Sequence, residues 1–321
     1  MAVNKIKKWF EDRFWHFLGT VQEPFYSWLN AMANAVVLFR NPERKICCGT
    51  LNPDKTFYVI GNFSKGVGIA GWHDKVFGCL LWAKRKGYIP VVAPSPAREG
   101  DGDWFAFFKQ VSPYTLEEVL KSKNVVHAIE RGMIHKRYNK RNIRRRHEMS
   151  KSVSLSDEAK RFIDERMSGL FDGMPSPVVA VRYRGTDYRT AIGHAKVPDV
   201  QDFCDEVEKD LWKWGVPAGD GERIFVVTEE QEALDAIRLR FPKCRYVVKE
   251  RFSNFKQGAC LCFLRLPATT PIENNFLYLL DIYAMARCDY LIGGINGSVL
   301  MALNLNGNRY RGVHVMDTGV N

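Results

Sequence analysis

The chain has 321 residues, of which 46% are hydrophobic and 26% charged, and its formal net charge at pH 7 is +11. This composition excludes a largely disordered protein, and the length is sufficient for two ordinary domains with separate cores. The positive charge favours anionic partners, namely nucleic acid, an acidic membrane surface or phosphorylated small molecules, and does not choose among them.

Residues 1–50 predict a helical segment that differs from the rest of the chain. A second apolar stretch, residues 25–39, follows the helix break at Pro24. The favoured interpretation is a pair of helices packed on the main body. The alternative is peripheral contact with the inner face of a membrane, where Trp and Phe beside Lys are favoured. In the first part of the segment, apolar side chains recur at helical spacing and charged ones fall on the other side: Ile6, Trp9, Phe10, Phe14, Phe17 and Leu18 against Lys7, Lys8, Glu11 and Asp12.

Residues 51–150 predict an α/β domain. The strand TFYVI is followed by the glycine-rich loop GNFSKGVGIAG, by a helix that ends at Gly87, and by the strand YIPVV. Thr115 and Glu118 have the spacing of a capping box and predict a further helix, and NVVHAI predicts a third strand. This strand–helix–strand order favours a parallel sheet.

The glycine-rich loop carries Gly66, Gly68 and Gly71 in the spacing of a dinucleotide-binding loop. The acidic residue expected about 20 positions later is replaced by the basic stretch 84–86, and the loop contains no Walker G-K-[ST] sequence. A nicotinamide enzyme is therefore disfavoured, and we expect no bound cofactor.

The basic run and the cysteines each have a structural interpretation that is favoured over a functional one. The basic run HKRYNKRNIRRRHE, within residues 134–148, predicts a solvated face or linker; the alternatives are phosphate contacts with nucleic acid or an acidic acceptor. The eight cysteines show neither a C-x-x-C pair nor the histidine spacing of a zinc site. Without a signal peptide or an apolar run of about 18 residues, the sequence predicts reduced thiols in a cytoplasmic protein.

Residues 151–321 repeat the alternation and predict a doubly wound, Rossmann-like domain. A helix begins near Ser156, and helices alternate with the strands VVAVRY, IFVV, RYVV and DYLI. In open parallel sheets, ligands bind at the carboxyl ends of the strands, where loops and helix N-termini meet. Three of these strands end in polar or glycine-rich sequences: Arg182, Arg184 and Asp187; Thr228, Glu229 and Glu230; and Gly293, Gly294, Asn296, Gly297 and Ser298.

Arginine and a glycine-opened helix N-terminus both favour phosphate, the first through its fork of donors and the second through free amides. Each of these features by itself is more often structural, but their order along one sheet edge predicts a diphosphate site. The same groups are expected to supply positive charge where a metal would otherwise lie, so we expect no metal ion.

Three motifs in this order resemble those of the fucosyltransferase superfamily, which includes α1,6-fucosyltransferases, the rhizobial nodulation fucosyltransferase and protein O-fucosyltransferases. They are RYRGTDY at 182–188, FVVTEE at 225–230 and DIYAMARCDYLIGGINGSVLMAL at 281–303. The loop SKGVGIAG also resembles that family's N-terminal domain. The likeness covers about residues 56–316, and the last motif is the most specific.

The resemblance implies two Rossmann-like parallel-sheet domains facing a cleft (GT-B-like), and inverting, metal-independent transfer from GDP-fucose. Arg184 matches the arginine that holds the β-phosphate, and Asp187 matches the carboxylate that orients it. Asp281 matches the acid that contacts the guanine nucleoside. Gly297 and Ser298 match the phosphate-facing start of the last helix. The further substrate-binding candidates are Arg182, Tyr188, Thr228, Glu229, Asn296, Gly66, Gly68 and His73.

The sequence departs from the family pattern at several positions, which concerns the identity of the sugar nucleotide more than the fold. Arg182 stands where a histidine is usual, and Gly185 where a second arginine often stands. Glu229 and Glu230 replace aspartates, and Tyr188 occupies a position that is lysine in some members.

The acceptor hydroxyl would need a base, for which His194 is the first candidate. His73 and Asp74, expected to face the cleft from the N-terminal domain, are the others. The function that we predict is transfer of fucose to a glycan or glycolipid. The alternative is a non-catalytic nucleotide-sugar or polyanion-binding protein, and an RNA-binding protein ranks last.

Overall fold

The computed structural model describes residues 28, 32, 43–61, 68–94, 102–129, 140–190, 194–255, 261 and 264–316. The predicted amino-terminal helices lie outside these residues except for Trp28 and Met32, which are helical and exposed. The described elements build two α/β units, each around a four-stranded sheet. This arrangement confirms the predicted fold class.

The first sheet has the strand order β1-β4-β2-β3, in which only β1 is antiparallel to its neighbour. β1 precedes residue 51, the predicted start of the first α/β domain, so the sheet begins a few residues earlier than that boundary. The elements of this unit are β1 (Lys45–Ile46), β2 (Phe57–Ile60), α1 (Ile69–Lys86), β3 (Ile89–Val92), α2 (Trp104–Phe107), α3 (Leu116–Val119) and β4 (Val125–His127).

Helix α1 ends where its sequence predicts, but its first residues, Ile69 to Gly71, belong to the stretch predicted as loop. It begins after Gly68 and ends at Gly87, whose φ of 68° is in the left-handed region that glycine adopts readily. Val76, Phe77 and Leu80 are buried on its inner face. Thr115 also caps α3 as predicted, because its hydroxyl accepts from the amide N–H of Glu118 at 3.2 Å; the Glu118 carboxylate accepts from Asn52 at 3.0 Å.

The second sheet is entirely parallel and has the strand order β6-β5-β7-β8. Helices lie on both faces and bury two clusters of apolar side chains against it. The elements are α5 (Asp157–Met167), β5 (Val179–Arg182), α6 (Val200–Lys213), β6 (Ile224–Val227), α7 (Gln231–Arg240), α8 (Pro271–Arg287), β7 (Tyr290–Gly294), α9 (Gly297–Asn306) and β8 (Gly312–Met316).

The predicted strand RYVV, at 245–248, is wrong as a full strand. Only a single parallel bridge joins Arg245 to Phe225 of β6. The Arg251 guanidinium bonds the carbonyl oxygens of Val247 and Lys249, groups that a strand would offer to its neighbour. The Arg251 side chain therefore makes hydrogen bonds that a neighbouring strand would otherwise make with this segment.

A helix at the end of the basic run, α4 (Lys140–Ser150), joins the two units. Arg146 forms an ion pair with Asp74 of α1, and the Nδ1 atom of His147 donates to the carbonyl oxygen of Asn304 in α9 at 2.8 Å. These two side chains contact the protein itself rather than solvent. This part of the basic run thus has a structural role, in place of the solvated face that its composition predicts.

Candidate active site

The strand order of the second sheet reverses at β5, because β6 lies on one side of it and β7 on the other. In open α/β sheets, ligands bind at this switch point, in the crevice beyond the carboxyl ends of the strands. A pocket of about 290 Å³, part of it open to solvent, lies there. Its lining includes Arg182, Arg184, Tyr188, Lys196, Gly294 and Asn296.

Arg182 ends β5 and lies at the base of the crevice, with 2% of its surface exposed. Its Nε donates to the Ser298 hydroxyl at 2.9 Å, and its Nη1 donates to the carbonyl oxygen of Tyr183 at 2.6 Å. The same nitrogen is 2.7 Å from Oε2 of Glu229. A guanidinium with so many internal partners stabilises the base of the crevice and has little surface left for a substrate.

Glu229 lies between the two arginines and links them. Its Oε1 is 2.8 Å from Nη1 of Arg184, and its side chain is 13% exposed. Burial by itself would raise the pKa of Glu229, but the guanidiniums of Arg182 and Arg184 outweigh it and lower the pKa to about 2. Glu229 is therefore ionised throughout the physiological range.

Arg184 is the arginine that reaches toward the opening, with 15% of its side chain exposed. Its Nη2 donates to Oδ1 of Asp187 at 2.8 Å, and its guanidinium lies 4.7 Å from the centre of the Tyr188 ring. Burial lowers its pKa, yet the carboxylates of Glu229 and Asp187 more than reverse this and raise the pKa above the ordinary arginine value. Arg184 is thus a permanently charged and preorganised donor.

The cluster of Arg182, Arg184, Asp187 and Glu229 carries two positive and two negative charges. This corrects the expectation that the arginines supply uncompensated positive potential. A ligand in the crevice meets the directed N–H groups of Arg184 rather than a strong net field. Additional positive charge comes from Lys196, which is exposed on the pocket lining and which no sequence motif had marked.

Two helix N-termini meet beside this cluster, one from each unit. A Cβ atom on Gly297, the first residue of α9, would lie 3.1 Å from the Cβ of Ala70 near the start of α1. The side chain of Asn296 caps α9 by accepting from the amide N–H of Val299 at 3.1 Å. Within the described part of the chain, the N–H groups of Gly297 and Ser298 have no acceptor, as is usual at a helix start. Two positive dipole ends at one place favour an anion.

Glu229 and Glu230 have different ion-pair partners. Glu229 contacts Arg182 and Arg184, whereas Glu230 pairs with Arg189. A Cβ on Gly185 would lie 1.9 Å from Oε2 of Glu230. The Glu230 carboxylate therefore occupies the space that any side chain at residue 185 would need, which accounts for glycine there.

The remaining candidates on the second unit lie near the cluster but differ in exposure. Tyr188 contacts Arg184 on one side and His194 on the other, where the two rings meet edge to face at 4.4 Å. His194 is exposed at the rim, a position suited to a base. Thr228 is buried, and its hydroxyl accepts from the amide N–H of Glu230 at 3.3 Å, so it shapes the turn after β6.

The candidates on the first unit do not all face the crevice. Gly66 lies outside the described residues, and Gly68 is the residue that precedes α1. The expectation that His73 faces the cleft is wrong. This residue is 1% exposed, and its ring lies 3.9 Å from that of Phe77, because it falls on the apolar inner face of α1. Asp74 is buried and forms an ion pair with Arg146.

Asp281, matched above to a guanine contact, is buried within α8 and forms an ion pair with Lys249. Its other carboxylate oxygen, Oδ1, is buried without a hydrogen-bond partner. Lys249 was missed at the sequence level. The signal that could have identified it is a charged residue immediately after the apolar run 246–248, the same pattern that selected Arg182.

Of the comparisons with known proteins, only the one with solved structures found a similar chain. No protein-family model matches the chain, and no relative was found among curated proteins. Among solved structures, NodZ α-1,6-fucosyltransferase soaked with GDP-fucose is similar with a TM-score of 0.51 at 15% identity, over 78% of this chain and 93% of that one. The chain has a fucosyltransferase fold.

Two other structures are similar at TM-scores below 0.5. Fucosyltransferase NodZ from Bradyrhizobium has a TM-score of 0.49 at 14% identity, over 77% of this chain and 92% of that one. POFUT1 in complex with GDP has a TM-score of 0.46 at 10% identity, over 82% and 99%. The fold that the sequence motifs implied is confirmed by the NodZ structure soaked with GDP-fucose.

The described ranges contain neither a metal-ligand group nor a membrane-spanning helix. No group of three or more His, Cys, Asp or Glu side chains there could hold a metal ion. None of the helices in those ranges is long and apolar enough to cross a membrane.

Proposed function

We propose that the chain is an inverting glycosyltransferase of the cytoplasm that binds GDP-fucose in the β5–β7 crevice and transfers fucose to a glycan or glycolipid. The observation that supports this most strongly is Arg184, held by two carboxylates beside the starts of α1 and α9 on a fucosyltransferase fold. The NodZ structure with the higher TM-score was soaked with GDP-fucose, which favours the same donor.

In the proposed reaction, the acceptor hydroxyl oxygen attacks the anomeric carbon of fucose from the face opposite the diphosphate. The bond between that carbon and the β-phosphate oxygen breaks, and its electron pair remains on GDP. Arg184 and the free amides of Gly297 and Ser298 stabilise this developing charge. Removing one such donor costs roughly 2.7–4 kcal/mol of transition-state stabilisation in comparable oxyanion sites.

The hydroxyl proton needs an acceptor, and we assign it to His194. This ring is exposed at the rim of the crevice and contacts Tyr188, which in turn contacts Arg184. His73 is buried against Phe77, and Asp74 is paired with Arg146, so neither is oriented for this step.

Transfer is proposed to be independent of divalent metal. Metal-dependent transferases hold a cation with closely spaced carboxylates. Here Glu229 is engaged by two arginines, and Glu230 is engaged by Arg189. Activity from GDP-fucose should therefore survive exhaustive EDTA treatment. Loss of activity that Mn²⁺ restores would overturn this part of the proposal.

A second candidate is a nucleotide-sugar-binding protein without transferase activity. Gly185 favours it, because the second arginine of the family pattern is absent and the Glu230 carboxylate fills its place. Donor turnover separates the two functions: a catalyst releases GDP from GDP-fucose when glycan acceptors are supplied, and a binding protein does not.

The test of the donor is a thermal-shift series with GDP, GDP-fucose, UDP and CMP. We expect GDP and GDP-fucose to raise the melting temperature and the pyrimidine nucleotides to have little effect. Equal shifts for GDP and UDP would remove the guanine assignment. The matched control is Arg240→Ala, since Arg240 pairs with Glu208 on the exposed surface of α6 and α7, is absent from the pocket lining, and its loss should leave the GDP shift in place.

A further inference from the structure

Residues 195–198 form one wall of the crevice pocket, and this wall carries Lys196. Ala195 is 8% exposed and anchors the wall, whereas Lys196 is exposed where the pocket meets solvent. The Tyr183 hydroxyl donates to the carbonyl oxygen of Pro198 at 3.0 Å. The wall is therefore tied to the residue that follows β5, and the fold itself sets the position of Lys196 on the pocket.

The charged side chains that line the pocket, within the described part of the chain, are all basic. They are Arg182, Arg184 and Lys196. Asp187 and Glu229 balance the two arginines, so Lys196 is a further positive charge that the pocket presents to a ligand. The proposed reaction uses Arg184 and the start of α9 for the diphosphate and assigns no role to Lys196.

Lys196 lies on the same side of its segment as His194, the residue proposed to accept the proton of the acceptor hydroxyl. His194, Ala195 and Lys196 are exposed, buried and exposed in turn, as in an extended chain, where alternate side chains share a side. Two residues of extended chain span about 7 Å. That span is close to the breadth of one sugar ring with its substituents.

We propose that Lys196 binds an acidic group of the acceptor, a carboxylate or a phosphate on the sugar that presents the attacking hydroxyl or on its neighbour. The proposal rests on the proposed function, because it adds a residue to the acceptor side of that site. An ammonium group has three N–H donors and can bind an anion while it keeps other contacts. Hydrogen bonds between charged partners are the stronger ones, so this contact selects acidic over neutral acceptors.

The experiment compares acidic and neutral sugars as ligands of the full chain saturated with GDP, which occupies the diphosphate site. The probes are methyl glucoside, methyl glucuronide and methyl glucoside phosphorylated at its primary hydroxyl, and their dissociation constants are measured by nuclear magnetic resonance titration. The variants are Lys196→Met, which removes the charge, and Lys196→Arg, which keeps it. The matched control is Lys160→Met, at an exposed lysine of α5 that is not part of the pocket lining.

We expect wild type to bind at least one acidic probe about 10-fold more tightly than methyl glucoside. Lys196→Met should bind all three probes alike, whereas Lys196→Arg and Lys160→Met should keep the preference. The affinity for GDP should change by no more than about twofold in each variant. The acidic probe that binds more tightly identifies the recognised group as a carboxylate or a phosphate.

Equal affinities of wild type for the acidic and neutral probes would overturn the proposal. A loss of GDP affinity in Lys196→Met as large as the loss for the acidic probes would also overturn it, because Lys196 would then belong to the donor site. Failure of wild type to bind GDP would refute the donor assignment alone. The titrations of nucleotide-free protein would then decide the role of Lys196, and a preference that survives Lys196→Met would refute that role.

Discussion

Replacement of Glu229 by glutamine tests the charge balance of the crevice most severely. The substitution keeps the shape of the side chain and removes the one carboxylate that contacts both Arg182 and Arg184. Arg182 is 2% exposed, so water cannot take over the lost interaction. Breaking a buried pair by removing one partner costs about 3–5 kcal/mol of stability.

The pKa of Glu229 gives a separate magnitude and a pH dependence. Its value is lowered from 4.5 to about 2, and each unit corresponds to about 1.4 kcal/mol, so ionised Glu229 contributes about 3 kcal/mol. The folded pKa is depressed. This contribution is therefore fully present above pH 4.5 and is lost as the pH falls toward 2. By pH 3, about 60% of it is gone.

The assay is urea denaturation of wild type and Glu229→Gln at pH 7 and at pH 3. The difference in unfolding free energy should be about 3 kcal/mol at pH 7 and about 1 kcal/mol at pH 3. The control is Glu206→Gln in α6. Glu206 forms an ion pair with Lys209 at 2.6 Å, and the two side chains are 42% and 69% exposed. Loss of this exposed pair should leave stability unchanged. A variant as stable as wild type at pH 7, or a difference that ignores pH, would refute this reasoning.

Three further substitutions test other parts of the structure. Arg146→Ala should lower the free energy of unfolding by about 1–3 kcal/mol, because it removes the ion-pair partner of the nearly buried Asp74. The assay is urea denaturation at about pH 7, and a loss below about 0.5 kcal/mol would contradict the structural role of α4. Gly185→Ala should cost about 1–3 kcal/mol because its methyl would displace the Glu230 carboxylate, and an unchanged melting curve would refute this. Gly297→Ala should weaken GDP binding several-fold in calorimetry, because α1 must shift where its Ala70 meets α9; normal affinity would contradict convergence of the two helix starts.

The strand ends of the second unit were predictable because the sequence marks them locally. A buried apolar run followed within two residues by a charged side chain, as in VAVR and in IFVV before Glu229, predicted both the strand and its edge of the sheet. The capping residues Thr115 and Ser156 were equally readable, since each acts on an amide three positions away.

Contacts between distant parts of the chain were not predictable from such patterns. Glu229 was predicted to contact the substrate, yet it forms ion pairs with Arg182 and Arg184. The distance between Glu229 and these arginines depends on how β5 and β6 pair, which the sequence does not show. The expected strand RYVV is reduced to one bridge, and the Arg251 side chain bonds the carbonyl oxygen of Val247 within it. His73 lies on the inner face of α1, a choice of face that the helix period alone left open.

Calorimetric titration of GDP and GMP into wild type and Arg184→Ala tests the central claim most directly. If Arg184 holds the β-phosphate, GDP should bind the variant at least about 30-fold more weakly, equivalent to 2 kcal/mol or more, since Asp187 and Glu229 would then repel the anion. GMP lacks that phosphate, so its affinity should change by no more than about twofold. Equal losses for GDP and GMP, or no loss for GDP in a folded variant, would show that Arg184 does not hold the diphosphate.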